Sequence, residues 1–417
     1  MSGNPQGHSD YDLIVVGGGM VGAAVAAALA PTPLRVAVVE ARPPAAQPAR
    51  DGRRVSALTA GSVRILQALG VWQAVRADDT EPIRAMTVWD GEHAGALGFE
   101  AGEVGLEALG ALAPNGAIAQ ALQAATREAP NVDWYCPARW VGLEQDDEQA
   151  TLRVSAEGGA RALRAPLLVA ADGRDSAVRQ AVGIDTVGWD YGQSGLVAEI
   201  RPQRPHRGRA YQRFLRGGPL ALLPLPEGRC SLVWSLPTAR AEGLLDLDDA
   251  AFGRRLQRAF GPELGALEVA GPRGAFPLRL QHAKGYARGR VALVGDAAHA
   301  VHPLAGLGLN LGLRDAAALA EAVAEAHLAG EDWGGDVVQG RYQRRRMPDN
   351  LLVSAYTDGF HRLFGGDSQA LGTLRSLGMG LVDRAGPFKH LLMRQGMGLT
   401  APGRGRLERG EPLATGY

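Results

Sequence analysis

From residue 13 to residue 34 the chain carries no charged side chain, yet three hydrophobic patterns follow one another along it. Residues 11–16 end in an aliphatic run, three consecutive glycines interrupt it, and residues 20–30 are rich in alanine. A second apolar run at 35–39 stops at Glu40. A lone membrane span would account for the hydrophobicity but not for the glycine break or the second run. Strand, turn, helix, strand accounts for all of it, the strands being apolar throughout as in a buried parallel sheet. The same kind of run recurs at 167–170, just before Ala171-Asp172-Gly173-Arg174, and at 290–294, just before Gly295-Asp296-Ala297-Ala298-His299.

Elsewhere the pattern changes. Residues 62–70 and 118–125 have helical spacing, and 43–50 reads as a loop. Short strands and glycines over 81–101 suggest an excursion from the first domain. Strands are expected at 132–135, 140–143 and 151–154. Alternation with Arg, Leu, Val and Trp over 196–236 predicts antiparallel strands at 209–214, 220–225 and 230–236. Residues 248–260 form an amphipathic helical pattern and 307–328 one long helix. Beyond 331 the chain is mostly helical in pattern until a Gly/Pro/Arg-rich tail from 396. No internal repeat is present.

Composition narrows the function classes. A chain of 417 residues, 46% hydrophobic and 21% charged, fits a globular protein of two domains. Lys plus Arg and Asp plus Glu are 44 each, so no overall field favours nucleic acid. Arginines do cluster locally, at Arg201, Arg204, Arg207, Arg209, Arg213 and Arg216 with His206, and at Arg341, Arg344, Arg345 and Arg346. Each cluster is either a solvated face or an anionic contact, such as nucleotide phosphates or lipid headgroups. Cys136 and Cys230 are far apart and lack metal-ligand spacing, so no disulfide framework and no metal is expected. With a polar start lacking a basic segment, a cytoplasmic, reducing setting is expected.

Gly17-x-Gly19-x-x-Gly22 falls between a strand and a helix, and Glu40 ends the next strand. In a dinucleotide fingerprint the first glycine permits the tight turn, the second lets backbone approach the pyrophosphate, and the third lets helix and strand pack closely. The helix start offers free N–H groups to phosphates, and Glu40 offers a carboxylate to the ribose 2′-OH. This motif alone does not separate NAD from FAD.

A second constellation points to flavin. Asp296 ends a buried strand, where it can reach a ribitol hydroxyl. Gly306-Leu307-Gly308-Leu309-Asn310 then opens the long helix. Helix-start amides are natural partners for the negative charge a reduced flavin ring develops. A helix cap for Asp296 and core packing for His299 are the plainer alternatives.

In order and spacing, these motifs resemble the single-component FAD-dependent aromatic hydroxylases typified by p-hydroxybenzoate hydroxylase. Arg54-Val55-Ser56-Ala57-Leu58, Ala221-Leu222-Leu223-Pro224-Leu225, Leu232-Val233-Trp234-Ser235 and 302–315 resemble, within that class, the ubiquinone-biosynthesis hydroxylases, as do Tyr356-Thr357-Asp358 and Arg362-Leu363-Phe364. The resemblance implies an α/β fold: a Rossmann-like FAD-binding domain (1–80, 102–185 and 276–330), an interleaved antiparallel-sheet substrate domain (81–101 and 186–275) and a helical C-terminal part (331–417). It implies that Gly17, Gly19, Met20, Val21, Gly22 and Glu40 hold the ADP half of FAD, with Arg54 on the pyrophosphate side and Asn115 near the flavin. Asp172, Gly173 and Arg179 would be shared between FAD and NAD(P)H, Asp296 would hold ribitol, and Pro303, Gly306, Gly308, Leu309 and Asn310 would lie against the isoalloxazine. Gly306-Leu307-Gly308 departs from the family's usual Gly-Gln-Gly, which removes any side-chain role of the glutamine.

The resemblance implies hydroxylation of a prenylated phenol or quinone precursor with NAD(P)H and O2, through a flavin C4a-hydroperoxide. It also implies a peripheral contact with the inner face of a membrane, and a biosynthetic complex or homo-oligomer. A hydroxylase of a small soluble phenol and a non-catalytic FAD-binding scaffold remain as alternatives. No catalytic base is assigned; Tyr191, His206 and Tyr211 are candidates by position, against packing or surface roles.

Overall fold

The computed structural model of the chain describes residues 9–43, 54–76, 79–90, 96–156, 159–301, 307–365, 386–399 and 405–413. A six-stranded sheet runs through it in the order Ala287–Arg288, Val291–Leu293, Leu167–Ala170, Leu13–Val16, Val36–Val39, Val132–Tyr135. Every neighbouring pair is parallel except the first. Residues of the four inner strands are all buried, which is why they read as unbroken apolar runs. The helix Met20–Leu29 packs against Asn115–Arg127 and Leu307–Ala329, and it is buried from Gly22 through Leu29. Alanine on every side of it allows that close approach. Among the described residues no helix is long and apolar enough to cross a membrane.

Three antiparallel strands, Ala138–Gln145, Ala150–Ala156 and Gly159–Ala165, form a side sheet. The last is mostly exposed, so no hydrophobic run announces it. A small sheet joins Val55–Thr59, Gly110–Pro114 and Glu81–Ile83.

The second large sheet has nine strands. Its order is His299–Ala300, Gly274–Ala283, Thr186–Pro202, Cys230–Pro237, Gly218–Pro224, Arg209–Leu215, Ala85–Asp90, Ala96–Glu100, with Leu267–Val269 beside Thr186–Pro202. Strands 85–90 and 96–100 join through a parallel pairing with Arg209–Leu215. One face, carrying Leu196, Ile200, Leu220, Leu232 and Trp234, is sealed in a core with Leu244, Phe252, Leu256 and Phe260 of the helices Thr238–Leu245 and Asp249–Phe260. Its other face is apolar as well and lines a cavity.

Two C-terminal features differ from the sequence expectation. Of the arginines at 341–346, Arg341 and Arg344 are exposed as on a solvated face, but Arg345 and Arg346 are not. Arg346 is 2% exposed and donates to Asp315 (2.8 Å), Asp349 and Asn350. Arg345 bridges Glu321 and Glu408, and Arg314 bridges Asp349 and Glu408. Apart from Asp349, the carboxylate partners of Arg345 and Arg346 lie 24 to 63 positions away, so local charge density could not reveal them. Nor is the whole end of the chain a loose tail. Residues 405–413 dock on the long helix, with Leu407 N–H donating to Glu321 at 2.8 Å and Leu407 and Leu413 buried.

Two outcomes are expected. Glu408→Ala leaves Arg314 and Arg345 without a shared carboxylate and should lower stability by about 3 kcal/mol, read from the urea midpoint. Burial alone would raise the Asp315 carboxyl, but His299, Arg346 and hydrogen bonds outweigh it and hold it well below the usual range. Its stabilisation is therefore complete above the unfolded value of about 4 and is lost as pH falls through the depressed folded value. Acid titration of stability should show a shallower loss in Asp315→Asn than in the parent.

Candidate active site

Each motif follows the C-terminal end of a parallel strand, and the strands are neighbours. Gly17 N–H donates to Val39 O at 2.8 Å, Ala171 N–H to Val16 O at 2.8 Å and Val294 N–H to Ala170 O at 3.0 Å. The ladder thus runs one residue past each strand and sets the three turns side by side, at the topological switch point of the sheet. Gly17 has φ +104°, and a Cβ there would collide with the Ala171 carbonyl. A Cβ on Gly22 would collide with the Gly17 carbonyl. Val21 is wedged between the last turn and the long helix: Cβ atoms on Gly295 and Gly312 would lie 3.1 and 2.7 Å from its methyl groups.

The start of the helix Met20–Leu29 is open. Gly19 caps it in an extended conformation with no side chain accepting its first amides, and no atom lies within 4 Å of where a Gly19 Cβ would stand. Gly19 is exposed and Met20 half-buried. Free N–H groups, a positive dipole end and empty space fit a pyrophosphate. Glu40 accepts from the Gly18 and Arg42 amides at 2.7 and 2.8 Å, leaving lone pairs for a ribose hydroxyl. Gln123, which sequence reasoning did not single out, holds the Gly18 carbonyl at 2.8 Å.

The middle motif is used differently. Asp172 accepts from Ser176 Oγ at 2.5 Å and from Val178 N–H at 3.1 Å, so its carboxylate caps the short helix Ala177–Ala181. Arg179 is buried and donates to the Arg174 and Ala297 carbonyls, both at 2.9 Å, which fastens the middle turn to the last. Gly173 has φ +87° with open space around it. These residues frame the site.

In the last motif Asp296 opens to water on one side. Crowding by protein on the others raises its carboxyl above the usual range, with His299 and Arg174 pulling the other way. His299 is fully buried and pairs through Nε2 with Asp315, which also accepts the Gly295 amide at 3.1 Å. Asn310 is an anchor: it accepts from Thr59 N–H and donates to Ala57 O, each at 2.8 Å. Leu309 packs on the core and Gly308 faces open space. Pro303 and Gly306 lie outside the described residues.

Beside these turns lies a cavity of 1080 Å³. Arg54, Asn115, Arg174 and Leu307 line one part of it, and Asn115 is steadied by Ser56 Oγ at 2.7 Å. Its floor is the free face of the nine-stranded sheet, and Phe99, Leu109, Met393 and Met397 close another side. The three candidate bases are absent from the lining. His206 is buried and bonded to Leu225 O and Gly208 N–H, both at 3.0 Å. Tyr211 stacks edge-on against Trp89 and Phe260 on the sheet's opposite face, and Tyr191 donates to Asp358 at 3.2 Å. The arginines beside them are partly spent within the fold: Arg209 pairs with Glu100 at 2.6 Å, and Arg213 donates to the Ala259 and Phe260 carbonyls at a helix end.

A family model described as FAD binding domain matches residues 10–349. Ubiquinone hydroxylase UbiL of Rhodospirillum rubrum is 39% identical over 406 residues, covering 96% of this chain and 93% of its own. The 3-demethoxyubiquinol 3-hydroxylase of Escherichia coli is 37% identical over 390 residues, covering 93% and 98%. Among solved structures, p-nitrophenol 4-monooxygenase PnpA from Pseudomonas putida superposes with a TM-score of 0.76 at 21% identity, over 94% of this chain and 99% of that one, a likeness of fold. The chain belongs to the FAD-dependent hydroxylases of ubiquinone biosynthesis, with the α/β fold and the flavin chemistry of that family.

Proposed function

We propose that the chain hydroxylates the aromatic ring of a prenylated ubiquinone precursor, with NAD(P)H as electron donor and O2 as oxygen source. The observation that carries this reading is the cavity, which runs from Arg174 of the middle turn and Leu307 at the start of the long helix to the free face of the nine-stranded sheet and is large for a small-molecule site. The names of the two relatives agree with a quinone-type ring. In balance, NAD(P)H, a proton, O2 and an aromatic C–H become NAD(P)+, water and a phenol.

Bound FAD supplies the electron transfer and oxygen activation that no side chain can perform. The chain binds, orients and excludes water. Gly17, Gly19, Met20, Gly22 and Glu40 would take the ADP half. Asp296 would take ribitol, and the Gly308 and Leu309 amides would face the ring system. Arg54 and Asn115 would contact the cofactor from the cavity side. Asp172 and Arg179 would act by holding those turns in place. Val197, Ala221, Leu223 and Val233 give the substrate a dry floor. A prenyl tail keeps the substrate in a bilayer, so the chain would collect it at a membrane surface without spanning it. Complex or homo-oligomer formation is part of the same reading.

Purified chain should be yellow, and a prenylated phenol should accelerate its NAD(P)H oxidation, with one atom of labelled O2 recovered in the ring. A small soluble phenol coupling equally well would favour the soluble-substrate alternative, and flavin that NAD(P)H never bleaches would favour a scaffold. Gly19→Val meets no protein atom, so it should leave the melting temperature of the flavin-free chain unchanged while weakening FAD at least about ten-fold, or 1.4 kcal/mol. Gly22→Val should lose both, because its side chain strikes the Gly17 backbone. Equal FAD affinity in Gly19→Val and the parent would remove the pyrophosphate from this helix end.

A further inference from the structure

The cavity face of the nine-stranded sheet can be read strand by strand. Val88, Gln212, Ala221, Val233, Val197 and Gly274 stand in register across six strands and form its central row. Five of the six are apolar or glycine. Gln212 is the exception: it is 7% exposed, lines the cavity and makes no side-chain hydrogen bond among the described residues. Of its same-face neighbours, the two that also line the cavity are small, Ala210 two residues earlier on its own strand and Ala221 across from it, while the larger Phe214 and Val88 lie on the side away from the cavity lining. The carboxamide therefore has alanines, not large side chains, beside it where the sheet lines the cavity.

The Gln212 carboxamide reaches the cavity and is not sealed in protein; once an apolar ring displaces water there, an unpaired carboxamide costs free energy, whereas Met or Leu in the same place would not. A ligand that brings an oxygen substituent removes the cost, because the carboxamide donates to an ether or carbonyl oxygen and accepts from a phenol O–H. Ser231 and Ser235, the hydroxyls on the same face, flank Val233 two strands away, about 10 Å from Gln212 along the row. They are too distant to serve the same substituent.

We propose that Gln212 is the specificity-determining residue for ring position: its side chain hydrogen-bonds an oxygen substituent of the substrate ring and so fixes which ring carbon is presented for hydroxylation. This rests on the ring-hydroxylase reading above. Gln212 holds no proton in the reaction and is no base. It sets the rotation of the ring about its own axis, which apolar walls alone leave free.

The test uses the full chain with FAD bound and two short-chain prenylated phenols, one methoxylated and one without the methoxy group. Gln212→Met conserves length and removes the hydrogen bonds; Gln212→Asn shortens the arm and keeps them. With the methoxylated phenol, Gln212→Met should form about ten-fold less hydroxylated product per NAD(P)H oxidised, spread over more than one ring carbon. With the methoxy-free phenol, Gln212→Met and the parent should give the same coupling and the same isomer ratio. Gln212→Asn should fall between them with the methoxylated phenol. Unchanged flavin absorbance and melting temperature report an intact fold; should Gln212→Met lose either, the comparison is made between Gln212→Asn and the parent. A single product isomer at parental coupling in a folded variant overturns the role of Gln212 and leaves ring hydroxylation standing. A parent chain that hydroxylates neither phenol takes down both.

Discussion

The structure depends on one constraint of backbone geometry: three turns must leave one parallel sheet at the same edge, within contact distance of each other. The strands Leu13–Val16, Leu167–Ala170 and Val291–Leu293 are neighbours, though some 280 residues separate the outer two in sequence. Ladder hydrogen bonds one residue past each strand hold Gly17, Ala171 and Val294 in line. Any side chain at Gly17 or Gly22 would push the turns apart. The open amides at the start of the helix Met20–Leu29 and the Asp296 carboxylate are thereby brought to the same edge of the sheet, whichever residues fill the loops between.

A second tier of interactions fixes that edge from behind. Asp315 receives the Gly295 amide, His299, Arg346 and Asn350, and through Arg346 and Asp349 it is joined to Arg314 and Glu408. Buried ion pairs add little net stability, because desolvation offsets their attraction. Their effect here is geometric. Each guanidinium bridges two carboxylates, most of them from different segments, so the long helix, the helix Asp336–Gly365 and the last turn settle into one arrangement.

The flavin half was legible in the sequence because its demands are local: glycines at fixed spacing, apolar runs of strand length, an acid at a strand end. Apolar runs gave the parallel sheet because its strands are buried on both sides. The substrate half was legible only as strands. Both faces of the nine-stranded sheet are apolar, one against helices and the other against the cavity, so alternation could not say which parity faces the substrate. Tyr211 and His206 drew attention as chemically active side chains, yet Tyr211 belongs to the sealed face and His206 to a turn. Gln212, one residue from Tyr211, lines the cavity. The arginine run at 341–346 misled for a related reason: Asp349 is nearby in sequence, but Asp315, Glu321 and Glu408, which draw Arg345 and Arg346 into the fold, come from distant segments.

The wall formed by Met393 and Met397 comes from a segment that reaches back to the start of the chain, where the Met397 carbonyl accepts from Gly61 N–H at 3.0 Å, and residues 405–413 pin it through Glu408. During synthesis, then, the trough at the sheet edge can be assembled once Leu293 and the long helix Leu307–Ala329 have emerged, while the chamber beside it lacks its Met393 and Met397 wall for roughly another 65 residues. A nascent chain is thus able to form the dinucleotide-type turns before the neighbouring chamber acquires its last wall.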